Sequence, residues 1–296
     1  MTVDLIVNPA SGPDLRRVPR RDRVDFVSRA LRAHGATTVR ATVTTGQGDG
    51  LQAVRHALEA GTDRVVVWGG DGTLNEVAGA MLGTGLALGV VPGGSGNGLS
   101  RGLGLPQAPE AAVAVAMHGR ARDIDSGLVS GRPFFNLAGV GFDAAVAERF
   151  NTRNLRRGLV PYVTSILQEW RTFEPRRFTI TLDDHVPVVT EAHFVVVCNG
   201  QQYGHGARVA PDAAFDDGQF DVVAVPHITL SRLVRHGWRL FNGTLPAVPG
   251  VFTARARRVV VAHADALPIH LDGEVFDADT RRIFEVRPRS LRVMVP

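Results

Sequence analysis

The sequence predicts an α/β plus β chain: a Rossmann-like, parallel α/β domain over residues 1–125, then a mainly antiparallel β domain with helical insertions over 126–296. Three observations predict it. Short apolar runs alternate with segments of helical period as far as Asp125, and beyond it strands separated by turn residues take over. Three glycine-rich turns each follow a strand of the first part, as the ligand-binding edge of an open α/β sheet requires.

Taken in order, Val3 to Val7, Val65 to Trp68 and Leu86 to Val91 are short apolar runs suited to strands buried on both faces. Thr38 to Val43 is a more polar strand. Between them, Val24, Val27, Ala30 and Leu31 share one helical face, and Leu51, Val54 and Leu58 share another. Strands alternating with helices of this length imply right-handed βαβ units. After Asp125, the runs Phe178 to Leu182, Ala192 to Cys198, Phe220 to Val225, Val259 to Ala262 and Leu291 to Val295 read as strands. Asp216-Asp217-Gly218 and Leu271-Asp272-Gly273 are turn signals between them. Helical stretches are expected at about Leu155 to Thr172 and Leu230 to Phe241.

Composition narrows the chemistry. The hydrophobic fraction of 44% and charged fraction of 21% are those of a globular protein with a proper core. The single cysteine, Cys198, lies in an apolar run, so a buried thiol in a reducing cytoplasm is expected and a disulfide framework is excluded. No secretory leader and no membrane-spanning run is read. All 33 basic residues are arginine. A lysine-containing P-loop and Schiff-base chemistry are therefore excluded, and phosphate must be held by arginine, backbone N–H groups or a metal. The net charge of +4 and few aromatic residues argue against nucleic acid as a partner.

The three turns are Asn8-Pro9-Ala10-Ser11-Gly12, Gly69-Gly70-Asp71-Gly72-Thr73 and Pro92-Gly93-Gly94-Ser95-Gly96-Asn97-Gly98. Glycines let backbone N–H groups approach an anion, and Thr73 is expected to cap a helix over Leu74, Asn75, Glu76, Val77 and Ala78. Three such turns at one sheet edge point to a polyphosphate. The dinucleotide fingerprint is absent, Ser95 misses the nucleophile-elbow pattern, and the histidines lack metal-ligand spacing. Asp71 is the awkward residue. A carboxylate at ~4 Å from a phosphate, at an effective dielectric near 20, is repelled by about 4 kcal/mol per charge pair. Magnesium between them reverses the sign.

The ordered motifs resemble those of the diacylglycerol kinase catalytic-domain superfamily, which includes bacterial lipid kinases, sphingosine kinases and ceramide kinases. The resemblance runs from Asn8-Pro9-Ala10-Ser11-Gly12 through Gly69 to Val77, Gly94 to Asn97 with Arg101, and Asn136 to Asp143. It continues in Asp216 to Asp221 and ends at Asp272-Gly273-Glu274. It implies a first domain of the NAD kinase/diacylglycerol kinase type, to which the last strand near 285–296 returns, and a β-sandwich second domain. It implies that Asn8, Pro9, Ala10, Ser11, Gly12, Thr44, Gly70, Asp71, Gly72, Thr73, Leu74, Asn75, Glu76 and Ser95 surround ATP. Asp71 would order a catalytic Mg2+ network with Asp125. Asp217, with the carbonyls of Ala214 and Gln219, would hold a structural Mg2+. Glu274 would be the general base that takes the proton of a lipid hydroxyl. One position departs from the bacterial diacylglycerol kinase pattern: an aspartate follows the asparagine there, and Gly98 stands here, which is more similar to the sphingosine kinase branch.

The expected partner is a diacylglycerol or sphingoid-type lipid at a membrane surface, with the protein cytoplasmic and peripheral and with room for a homodimer. After Thr229, Leu230, Leu233, Val234, Gly237, Trp238, Leu240 and Phe241 can share one side of a helix, and Arg232, Arg235, His236 and Arg239 the other, as an anionic interface requires. The stretch from Leu155 to Trp170 is similar. The rival readings are a soluble-substrate kinase of the NAD kinase type and a non-catalytic lipid or nucleotide sensor, the latter motivated by Gly98.

Overall fold

A computed structural model describes residues 1–12, 18–142, 144–145, 174–227 and 229–296. The helix expected at Leu155 to Thr172 lies outside the described residues. The chain divides into two compact units, Met1–Ile124 with Arg289–Pro296, and Asp125–Pro288.

In the first unit β1 (Thr2–Val7), β2 (Thr38–Val43), β3 (Arg64–Gly69) and β4 (Ala87–Pro92) are interleaved with α1 (Arg23–Ala33), α2 (Asp49–Glu59) and α3 (Asp71–Met81). Two further helices follow, α4 (Gly98–Gly102) and α5 (Pro109–His118). All pairings among the four strands are parallel, in the order β2-β1-β3-β4, and Arg292 and Val293 add a parallel segment beside β4. The strands are parallel because each is followed by a helix that returns the chain across the sheet. The apolar runs are buried outright: Val3, Leu5, Val7, Val66, Trp68 and Val91 join Val27 and Leu31 of α1 and Val113 of α5 in one core. The order places a switch between β1 and β3, whose chains leave towards opposite neighbours. That is where an open α/β sheet leaves a crevice at its carboxyl edge.

The second unit contains the end of β5 (Arg120–Val129), then β6 (Arg132–Phe134), β7 (Leu137–Gly141), β8 (Arg176–Leu182), β9 (Val188–Ala192) and β10 (Phe194–Cys198). There follow β11 (Phe220–Val225), α6 (Leu230–His236), α7 (Arg239–Asn242), β12 (Phe252–Ala256), β13 (Arg258–Leu271) and β14 (Glu274–Val295), whose last residues belong to the first unit. Its order is β12-β11-β10-β7-β13-β14, and the pairings are antiparallel. Register shifts between Ala262 and Ile269 bend β13, so that its first half pairs with β8 and its second with β7. The unbroken apolar run of β10 has a simple cause. Val195 and Val197 enter one core cluster, and Val196 and Cys198 enter a second on the opposite face.

His193, just before β10, is 1% exposed, with its ring 5.0 Å from that of His227. Burial, and then the neighbouring imidazole, pushes its pKa down from 6.5 to about 4. The unfolded chain therefore takes up a proton near pH 6.5 while the folded chain resists until about pH 4. Stability is complete above the upper value and falls as pH drops between the two. Urea unfolding of His193→Gln is expected to show a flatter pH dependence across this window than the wild type; an unchanged slope would remove His193 from the account.

Candidate active site

The three glycine turns sit together at the carboxyl edge of the first unit's strands. Asn8 organises the first. Its backbone N–H donates to the Trp68 carbonyl at 2.8 Å, and its side-chain oxygen accepts from Ala10 N at 3.0 Å. Its Nδ2 donates to Thr73 Oγ1 at 2.8 Å, and its carbonyl accepts the Ser11 hydroxyl at 2.8 Å. Under this turn lies Arg23, only 1% exposed, whose Nη1 donates to the Ser11 carbonyl at 2.7 Å and the Pro9 carbonyl at 3.2 Å. Its guanidinium stands 5.1 Å from the Trp68 ring centroid. Arg20 donates to the Gly12 carbonyl at 2.8 Å.

The second turn differs from expectation. Thr73 does not cap a helix beginning at Leu74. The helix starts at Asp71, with Gly70 as N-cap in an extended conformation and no side-chain capping bond, and the Thr73 hydroxyl is engaged by Asn8. Three residues that the sequence reading gave to a loop thus become its first turn. Their N–H groups and the dipole make this turn attractive to an anion. Leu74 puts its side chain into the core, 4% exposed. Glu76 Oε1 accepts from Leu51 N at 3.4 Å, which places its carboxylate at the first turn of α2.

Asp71 has a structural task. Its Oδ2 accepts Asn97 N and its Oδ1 accepts Gly98 N, both at 2.9 Å, so it clamps the third turn at the start of α4. Asn97, at φ 52°, holds the same turn through Gly94 N to Oδ1 at 2.9 Å and Nδ2 to the Gly94 carbonyl at 3.0 Å. Asparagine is the residue after glycine that best tolerates this left-handed geometry. Arg101 Nε donates to the Gly96 carbonyl at 3.0 Å. Among the described residues no hydrogen bond takes the backbone N–H of Gly70, Ser95 or Gly96, and all three residues are partly exposed.

The turns touch. A Cβ at Gly94 would lie 2.8 Å from the Gly70 Cα, and one at Gly12 (φ 63°) would lie 1.9 Å from the Gly93 carbonyl oxygen. Gly12→Ala therefore combines a left-handed alanine with a backbone collision, and we expect a loss of about 2–4 kcal/mol in urea unfolding. A loss near zero would mean that the first and third turns do not pack in this way.

Thr44 is 6% exposed and its N–H donates to the Val7 carbonyl at 2.9 Å. The turn after it is held by Asp49, whose carboxyl lies below its usual range because Thr45 N, Gly46 N and the Thr45 hydroxyl all donate to it.

The remaining candidates belong to the second unit. Asp125 is fully buried; its N–H donates to the Phe215 carbonyl at 2.6 Å and its Oδ2 accepts Gly218 N at 2.7 Å. Its bonds thus brace the Asp216-Asp217-Gly218 turn. Asp217 accepts Gln219 N at 3.0 Å and pairs with the Arg255 guanidinium, which also lies 3.7 Å from Asp221. The Asp217 carboxylate is thus already neutralised by a cationic side chain. A structural Mg2+ at this turn would have to compete with that guanidinium. Among the described residues no cluster of three or more His, Cys, Asp or Glu side chains could hold a metal ion. Asp71 fits a metal better, as a partly exposed carboxylate where the second and third glycine turns meet.

Glu274 is exposed and opens β14, directly after a turn in which Asp272 (φ 50°) and Gly273 (φ 93°) are both left-handed. Asp272 anchors that turn: its Oδ1 accepts Asn136 N and Leu137 N at 2.9 and 3.0 Å, and its Oδ2 accepts Phe135 N at 2.9 Å. The fully buried Asn199 ties the same segment down, donating to the carbonyls of Phe135 and Asp125 at 2.8 and 2.9 Å. Arg23, Asp272 as an anchor and Asn199 were missed by sequence reasoning. An acidic residue immediately before a turn glycine was the one available signal, and it served only to mark the turn.

Residues 2–129 match the family model of the diacylglycerol kinase catalytic domain, and residues 136–295 match that of the YegS C-terminal NAD kinase beta sandwich-like domain. A diacylglycerol kinase of Mycobacterium tuberculosis is 30% identical over 259 residues, covering 84% of this chain and 83% of the relative. A probable YegS-like lipid kinase of Pseudomonas aeruginosa is 34% identical over 260 residues, covering 86% and 83%. Among solved structures, a putative diacylglycerol kinase from Bacillus anthracis superposes with a TM-score of 0.78 at 23% identity, covering 100% of this chain and 96% of that one. An NAD kinase from Archaeoglobus fulgidus in complex with ATP gives 0.55 at 13% identity, covering 99% and 93%; these two likenesses show the fold.

Proposed function

The chain belongs to the diacylglycerol kinase catalytic-domain superfamily, and from that membership we propose that it is a Mg2+-dependent lipid kinase that moves the γ-phosphoryl group of ATP to a lipid hydroxyl, the lipid being a diacylglycerol or a sphingoid-type alcohol at a membrane surface. The observation that carries the ATP half is the set of uncommitted N–H groups at Gly70, Ser95 and Gly96, beside the first turn of α3. Partly exposed backbone donors on adjoining turns are what a polyphosphate needs.

In the reaction the lipid oxygen forms a bond to the γ-phosphorus, the bond from that phosphorus to the β–γ bridging oxygen breaks, and ADP leaves with the electron pair. Glu274 receives the hydroxyl proton, with Asp272 fixing the turn that carries it. The glycine-turn amides bind the phosphates, and Arg101, oriented by the Gly96 carbonyl, supplies positive charge to the γ-phosphoryl oxygens. Asp71 would hold Mg2+, which when bound with ATP offsets the charge of the β- and γ-phosphates.

Incubation with radiolabelled ATP and a panel of diacylglycerol, sphingoid base and NAD, with and without a chelator, tests the reading. Label in a lipid, lost with the chelator, is expected. Label in NAD alone would replace the reading with a soluble-substrate kinase, and ATP binding without transfer to any acceptor would replace it with a sensor.

A further inference from the structure

The paired helices α6 and α7 expose a surface that the phosphate-binding turns do not explain. The expected apolar side is divided by the fold: Leu240 packs on the core beside β10, as does Leu245 after it, while Val234, Trp238 and Phe241 point outward at 76%, 56% and 54% exposure. Their spacing of four and three residues puts them in one row. Trp238 is held in place, donating from Nε1 to the Arg235 carbonyl at 3.0 Å with the Arg239 guanidinium 5.3 Å from its ring centroid. Three exposed large apolar groups in a row, two of them aromatic, are not the scattered singles of an ordinary surface.

The sequence around them carries charge of one sign. Residues 222–264 contain no aspartate or glutamate but six arginines, among them Arg232, Arg235 and Arg239. Among the described residues none of those three is in an ion pair. His236 between them is harder to protonate than an ordinary imidazole, through desolvation and then the charges of Arg239, Arg235 and Arg232. A second exposed apolar group, Val186, Val188 and Val189 near the β8–β9 turn, makes a useful contrast, because Asp183, Asp184 and Glu191 accompany it. Among the described residues, the α6–α7 surface combines exposed aromatic side chains with arginines that are in no ion pair.

We propose that the α6–α7 face, through Val234, Trp238 and Phe241 with Arg232, Arg235 and Arg239, docks the protein on an anionic lipid surface. The apolar row enters the acyl boundary, and the guanidinium groups meet lipid phosphates at headgroup depth. The docking rests on the lipid-kinase reading for its purpose, since a chain that phosphorylates a bilayer lipid must reach one, but its physical basis is independent of nucleotide.

The test is sedimentation of the full chain, without ATP, on phosphatidylcholine vesicles with and without phosphatidylglycerol. Wild type is expected to bind the anionic vesicles at least ~10-fold better than the neutral ones, with the preference lost at high salt. The triple variant Val234→Ser, Trp238→Ser, Phe241→Ser is expected to lose at least ~10-fold in binding to anionic vesicles. Arg232→Gln, Arg235→Gln, Arg239→Gln should bind both vesicles equally. Thermal unfolding and turnover on detergent-dispersed lipid, within about twofold of wild type, show that the variants are folded. Equal wild-type binding to both vesicles, or wild-type-like binding by either variant, overturns the proposal. Absence of wild-type binding to either vesicle also overturns it and leaves the face to an acidic protein. Because vesicle binding is read without nucleotide, a chain that docks yet transfers no phosphate refutes the kinase reading alone.

Discussion

Asp71→Asn is expected to lower turnover at saturating ATP and lipid by about 10³-fold and to destabilise the first unit at the same time. The second effect follows directly from geometry. Both carboxylate oxygens accept a backbone N–H, from Asn97 and Gly98, and an amide offers one oxygen and one NH2. One of the two backbone donors would then face another donor, a loss of about 1–3 kcal/mol for a charge-assisted bond. The two effects separate the two roles of the carboxylate. If Asp71 only clamps the third turn, the variant unfolds earlier and binds ATP less tightly, yet turns over normally once saturated. If it also orders the charge around the phosphates, turnover falls even at saturation. We expect the second pattern. A variant with normal turnover and reduced stability would reduce Asp71 to a brace and remove the reason for placing magnesium beside it.

Glu274→Gln is expected to cost a further 10²–10⁴-fold or so in turnover by removing a general base, with a different accompaniment. The side chain is exposed and the substitution is isosteric, so stability should change by less than about 0.5 kcal/mol. ATP affinity should hold, because the glycine turns proposed to bind phosphate belong to the other unit. Asp272→Ala gives the control: it deletes the two carboxylate oxygens that accept the N–H groups of Phe135, Asn136 and Leu137 and should lower both stability and turnover. Glu274→Gln with more than half of wild-type turnover would leave Glu274 as a hairpin residue, which is how its position after Asp272-Gly273 reads in isolation.

Much of the fold was legible because its signals are local. The strands β1, β3 and β4 are apolar runs buried on both faces, and each is followed by a turn whose glycines are visible one residue at a time. The helix α5 was not read: its Ala and Val are spread around the helix without a polar face, so no period announces it. The 22-residue β14 was recognised only at its end, since its exposed first half alternates apolar and charged residues without a clear run. The three turns were visible, but their fastening was not. Arg23 reaches Pro9 and Ser11 from α1, and Asn8 reaches Thr73 from 65 positions away. Such contacts depend on the order of the strands, which periodicity does not encode. Asp71 shows the same limit from another side. Electrostatics alone made its carboxylate look intolerable beside phosphate, because the N–H groups of Asn97 and Gly98 could not be placed.

The central claim is that the γ-phosphoryl group passes from ATP to a lipid oxygen. It is tested most directly by mass spectrometry of the lipid product formed from ATP whose γ-phosphoryl non-bridging oxygens carry oxygen-18. The account predicts a phosphorylated lipid whose phosphate retains the three labelled oxygens and whose ester oxygen is the lipid's own, unlabelled. Label confined to inorganic phosphate or to NADP, with no labelled lipid, would contradict it.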